Sequence, residues 1–122
     1  YMEFEIDIDR EEIENYSVLE TVLNDDLCKA ILLVLLKNRA FDQNHALPTP
    51  DIYRTIKIKI DRSAKYLQIW KRLYKLMEYG IVDRIEDNPV RWYVKGEYVN
   101  KIIEKFSKIE LPETKQMEFK QQ

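Results

Sequence analysis

The chain has 122 residues, 45% of them hydrophobic and 34% charged, with a formal net charge of −2. That length suits one domain around one core, and the hydrophobic share excludes an unfolded polyelectrolyte. Two glycines argue against a loop-rich sandwich, and the single Cys28 excludes an internal disulfide and predicts a reducing, cytoplasmic setting.

The net charge conceals two opposed segments. Residues 1–26 hold ten acids against Arg10 alone, a net of −9. Residues 52–75 hold eight bases against Asp61 alone, a net of +7. Local potential, not total charge, decides where a polyanion docks.

In chain order, Phe4, Ile6 and Ile8 alternate with acids, which reads either as a strand or as an acidic arm. A short helix follows, with Ile13, Tyr16, Leu19, Val22 and Leu23 on one side. Asp25 or Asp26 caps the next helix, Leu27 to about Asn38. Its run from Ala30 to Leu36 is apolar on nearly all sides, as in a helix at the middle of a core. The run is far shorter than the roughly 20 residues of a membrane span. No charged start followed by an apolar stretch marks a signal peptide. Cys28 reads as a small core residue.

Residues 40–48 read as a loop with a solvated His45, the single histidine. Thr49 is a candidate N-cap and Pro50 a first helical residue, for a short helix ending near Ile56. Lys57 to Ile60 then form a turn with the isoleucines toward the core. A longer helix runs from Arg62 to Tyr79, with Tyr66, Ile69, Trp70, Leu73, Leu76 and Met77 at core spacing. Lys65, Gln68, Arg72 and Lys75 recur on its other side. Gly80 ends it. Ile81 and Val82 start a strand, Asp87-Asn88-Pro89 turns the chain, and residues 90–94 return. A last helix, about Glu97 to Ile109, carries the stripe Val99, Ile102, Ile103, Phe106 and Ile109, and Pro112 stops it. The expected units are an acidic arm or extra helix over 1–26, a domain over 27–110, and a mobile polar tail over 111–122.

Helix, turn, helix and hairpin in that order, mainly α with a small β-hairpin wing, is the layout of a winged helix-turn-helix. In such proteins the second helix presents its N-terminal residues to base edges in the DNA major groove. That places Arg62, Ser63, Lys65, Tyr66 and Gln68 nearest the bases, with Gln68 suited to adenine and Arg or Lys to guanine. Arg72 and Lys75 lie further along, toward phosphates. Arg54, Lys57 and Lys59 on the first helix and turn also meet the backbone, as do Arg84, Arg91 and Lys95 on the flanks of the wing. Phosphate contacts add affinity without sequence information. Trp70, Trp92 and Tyr93 fall on the apolar phase and read as core.

Residues 27–106 resemble the winged-helix family. Leu73-Tyr74-Lys75-Leu76-Met77-Glu78-Tyr79-Gly80-Ile81-Val82 is similar to the L-x-x-L-x-x-x-G-[LI]-[VI] stretch that ends many of its recognition helices. Arg91-Trp92-Tyr93-Val94-Lys95 is similar to its R-x-Y-x-[LT] return strand. The Lys-, Ile- and Tyr-rich composition also resembles small archaeal and archaeal-virus regulators. The resemblance implies double-stranded DNA binding and transcription regulation. It also implies a homodimer, because a helix after the wing builds one in many members. Here that helix carries Val99, Ile102, Ile103, Phe106 and Ile109, and the alternative is that this stripe covers the chain's own core.

Winged helices also serve as protein-interaction modules, so an assembly partner is the second expectation. The acidic segment 1–26, outside the resemblance, is a place for a protein partner or a shield for the basic face. Catalysis has no support: there is no phosphate-binding glycine loop, no Cys/His cluster for a metal, and no motif for a cofactor. The one possible thiol–imidazole pair is Cys28 with His45, and an apolar helix is a poor place for a thiolate.

Overall fold

A computed structural model describes residues 10–107, with side chains from Ser17 onward. The alternation at Phe4, Ile6 and Ile8, the side chains of Ile13 and Tyr16, Ile109, and the tail 111–122 lie outside the described residues. Helix α1 spans Arg10–Leu23 and α2 spans Asp26–Lys37. Strand β1 is Leu47–Pro48, α3 is Thr49–Lys59, and α4 is Tyr66–Glu78. Strands β2, Val82–Ile85, and β3, Arg91–Val94, form the hairpin, and α5 follows over residues 96–107. The sheet order is β1-β3-β2, antiparallel throughout. Three helices, α2 to α4, with this small sheet at their side are a winged helix-turn-helix arrangement.

Helix α2 is the centre of the core and packs on α1, α3, α4 and β3. Its Cys28, Ile31, Leu32 and Leu35 are fully buried. The Asp25 side chain caps it, accepting from the backbone N–H groups of Leu27 (2.9 Å) and Cys28 (3.2 Å). Its C-terminus turns on Arg39 at φ 54, a left-handed residue where glycine is usual. Helix α4 ends the same way on Gly80 at φ 80. There Gly80 N–H bonds Met77 O (2.9 Å) and Ile81 N–H bonds Leu76 O (3.0 Å), and Leu76 and Ile81 meet in the core. That paired bond is the Schellman closure, which aims the chain directly into β2.

Thr49 joins helix to sheet. It is the first residue of α3, not the cap, and the residue before the helix is Pro48. Its side chain is buried, donates to Val90 O (3.0 Å) and accepts from Trp92 Nε1 (2.8 Å). A buried hydroxyl with both roles filled costs little to bury, and it fixes the start of α3 against β3.

Three expectations need correction. Residues 40–48 are not a plain loop: they hold a 3-10 turn at Gln43–His45 and then β1, whose Leu47 pairs with Trp92. His45 is exposed and bonds Asp42 (2.8 Å). Helix α3 does not end near Ile56 but continues to Lys59, so Ile58 and Ile60 leave the core and are 71% and 47% exposed. Ile52 and Ile56 face inward instead, one turn apart. Helix α4 starts at Tyr66, not Arg62, because Asp61 turns back locally. Its carboxylate accepts from the N–H (2.9 Å) and hydroxyl (2.6 Å) of Ser63. These bonds from Ser63 hold the Asp61 carboxyl below the ordinary carboxylate range. Ala64 then buries, and Lys65 is extended at φ −113, ψ 145.

The C-terminal stripe also resolves differently from the dimer expectation. Tyr98, Ile102 and Phe106 on α5 are buried in the chain's own core, at i, i+4 and i+8. Val99 is half-buried against that core, and Ile103 is 40% exposed. Ile102 and Phe106 are therefore not a free face. Leu19 and Val22 of α1 are buried in the same cluster, so the acidic N-terminal region contributes a helix to the domain.

Candidate nucleic-acid interface

On α4 the buried positions are Ile69, Leu73 and Leu76, with Trp70 and Met77 at the edge of the core. The helical phase then fixes the outward line as Leu67, Lys71 and Lys75, with Gln68 beside it, and all four are exposed. Arg62, Ser63 and Lys65 precede this line and are exposed in the turn rather than on the helix.

Arg72 leaves the expected set. It lies on the flank of α4, and its Nε donates to Asp25 Oδ2 at 2.9 Å. The same carboxylate caps α2 through Oδ1, so one side chain ties two helices. Burial alone acts to raise the Asp25 pKa. The N–H groups of Cys28 and Leu27 and the Arg72 guanidinium outweigh burial and hold it below the ordinary value. The opposite flank is aromatic. Tyr53 of α3 meets Tyr66 edge-on (5.2 Å), Tyr66 meets Trp70 (6.4 Å), and Trp70 stacks on Tyr74 (5.6 Å). Tyr66 thus divides its ring between this cluster and solvent, at 40% exposure.

The wing contributes less free charge than its sequence implies. Arg84 lies over the Tyr74 ring at 5.1 Å, donates to its hydroxyl, and pairs with Glu86 at 2.7 Å. Arg91 pairs with Asp87 at 2.8 Å near the tip, where Asn88-Pro89 is cis. Lys95 is half-buried beyond β3, and its N–H bonds Ile81 O. On α3, Arg54 pairs with Asp51, while the Lys57 ammonium sits 5.7 Å from the Tyr53 ring.

Six of the cations without an ion pair run together along the chain. Among the described residues, no ion pair engages Lys57, Lys59, Arg62, Lys65, Lys71 or Lys75. They follow one another through the last turns of α3, the connecting turn and the outward line of α4. Lys71 and Leu67 were missed in the sequence. Both share the i, i+4 spacing of Lys75, and that spacing is the signal that finds them.

Among the described residues no group of three His, Cys, Asp or Glu is placed to hold a metal ion. Cys28 is buried, and burial first, then the Asp25 charge, pushes its thiol up to about 11. No helix among the described residues is long and apolar enough to cross a membrane. In comparisons with known proteins, no family model, no curated protein and no solved structure matches the chain.

Proposed function

We propose that the protein binds double-stranded DNA as a transcription regulator of the winged-helix kind. The first turn of the outward line of α4 enters the major groove, and the cations further along it and around it meet the backbone. What supports this most is a run of six cations that no ion pair engages among the described residues, three on or leading into α4 and three on α3 and the turn, in a chain whose net charge is −2. Ordinary surfaces mix signs. Arg54, Arg84 and Arg91, already paired within the chain, add at most secondary contacts. Arg72 acts in the fold. The buried Cys28 thiol, held protonated, suits a reducing cytoplasm.

The test is fluorescence anisotropy of a labelled duplex at several salt concentrations. Six neutralised phosphates give a log–log salt slope of about −5, or about a thousandfold loss of affinity between 50 and 200 mM salt. Lys71→Ala with Lys75→Ala should lower the slope by about 2 and weaken binding to all sequences alike. A folded protein with no affinity at low salt would falsify the proposal.

A protein-interaction module is the second reading, favoured by one observation. Leu27, Ala30, Leu33 and Ile60 line an open groove of about 420 Å³ between α2 and the end of α3. Ile58 stands exposed in the last turn of α3, two residues before Ile60. Retention of a host protein by the wild type, lost in Ile58→Ser with Ile60→Ser, would support it.

A further inference from the structure

Leu67 is anomalous in its setting. A single exposed leucine is common on protein surfaces. This one is 64% exposed in the first turn of α4, between the Arg62–Lys65 turn and Lys71. Among the described residues it belongs neither to the core cluster nor to the side chains packed against that cluster. Gln68, its neighbour in sequence, is exposed as well, and among the described residues its side chain makes no hydrogen bond.

The major groove offers one apolar group, the C5 methyl of thymine. It offers one base edge that matches a carboxamide with two bonds, the N6/N7 edge of adenine. An apolar side chain and a carboxamide on adjacent residues of a groove-facing turn therefore match the two halves of A·T-containing sequence. Guanine is most often met by an Arg or Lys at the same depth. The nearest cations, Lys65 and Lys71, flank this pair, with Lys71 one turn further along the helix, where phosphates are met.

We propose that Leu67 and Gln68 determine specificity, and that the target carries an A·T step read through a thymine methyl and an adenine edge. The inference rests on the DNA-binding reading. The surrounding cations supply the charge complementarity that brings a duplex to this face, and the two residues choose among sequences.

The experiment needs no known site. Alternating duplexes of dA-dT, dA-dU and dG-dC compete against a labelled mixed-sequence duplex for the full chain. Deoxyuridine removes only the methyl. The wild type should prefer dA-dT over dA-dU by about fourfold for each methyl covered, and both over dG-dC. Leu67→Ala should bind dA-dT and dA-dU equally, and Gln68→Ala should lose most of the preference over dG-dC. Neither substitution removes a core contact, so a thermal melt should be unchanged.

Equal wild-type binding to dA-dT and dA-dU overturns the assignment, as does a methyl preference that survives Leu67→Ala, because duplex shape would then be its source. Tight, salt-dependent binding with no base preference leaves the DNA reading standing and removes this inference. No binding to any duplex removes both. A change in the mass of the free protein on Leu67→Ala identifies the leucine as a chain–chain contact and overturns the proposal.

Discussion

Asp25→Ala should destabilise the protein by about 2 kcal/mol, more than any other single exposed or half-buried carboxylate. Loss of an N-cap costs about 1 kcal/mol. Loss of the ion pair with Arg72 costs up to about 1 kcal/mol more, at the upper end for a surface pair because the two side chains are only 26% and 32% exposed. Urea unfolding at pH 7, followed by circular dichroism, should move to a midpoint lower by about 1 to 2 M for a domain of this size. Arg72→Ala should cost half as much, since it leaves the cap in place. The double substitution should cost less than the sum of the two singles. Acid adds a second check. The folded pKa of Asp25 lies below its unfolded value. Its contribution is therefore full above about pH 4, the unfolded value, and is lost as pH falls through the folded value. The gap between wild type and Asp25→Ala should close in that range. Arg72→Ala should leave the salt slope of DNA binding unchanged. An Arg72→Ala protein of wild-type stability and weakened DNA affinity would refute the placement of this side chain.

The remaining predictions concern the join, the thiol and the last helix. Thr49→Val strands Trp92 Nε1 without an acceptor, while Val90 O keeps the backbone N–H of residue 49, and should lower stability by about 1–3 kcal/mol, with Thr49→Ser restoring most of it, by thermal melt. Cys28, with its thiol at about 11, should react with a thiol reagent at pH 8 only as fast as the protein unfolds. Prompt labelling of the native protein would contradict its burial. Phe106→Ala should cost about 3–5 kcal/mol and leave the native mass unchanged, by calorimetry and light scattering. A loss of mass with little loss of stability would restore the stripe on α5 as a dimer face.

The order of elements was legible because each is announced by chemistry local to it. Asp25 precedes an apolar run, Gly80 follows a periodic one, and Asp87-Asn88-Pro89 divides two β-rich segments. Features defined by a distant partner were not legible. Strand β1 is two residues long and has no period of its own, and Leu47 is a strand residue only because Trp92 lies beside it. Asp61 has the right type for an N-cap, and only its bonds from Ser63 show that it closes a turn instead. Arg72 and Lys71 are separated by about 100° on α4. The sequence places both in one basic run, and the carboxylate of Asp25, 47 residues away, separates them. An apolar stripe on α5 says that a face is covered, and the packing of Ile102 and Phe106 says by what.

The two tryptophans give the protein an internal optical probe. Trp92 is buried with its indole N–H committed to Thr49, so its emission reports whether sheet and helix are joined. Trp70 is half-buried at the edge of α4, stacked on the exposed Tyr74. Their ring centroids are 5.7 Å apart, close enough for excitation to pass between them. Quenching at the surface of α4 is therefore sensed by both rings, while unfolding shifts the emission of Trp92 to the red. One spectrum thus separates occupancy of the outer helix from loss of the fold, with no label attached to either the protein or its ligand.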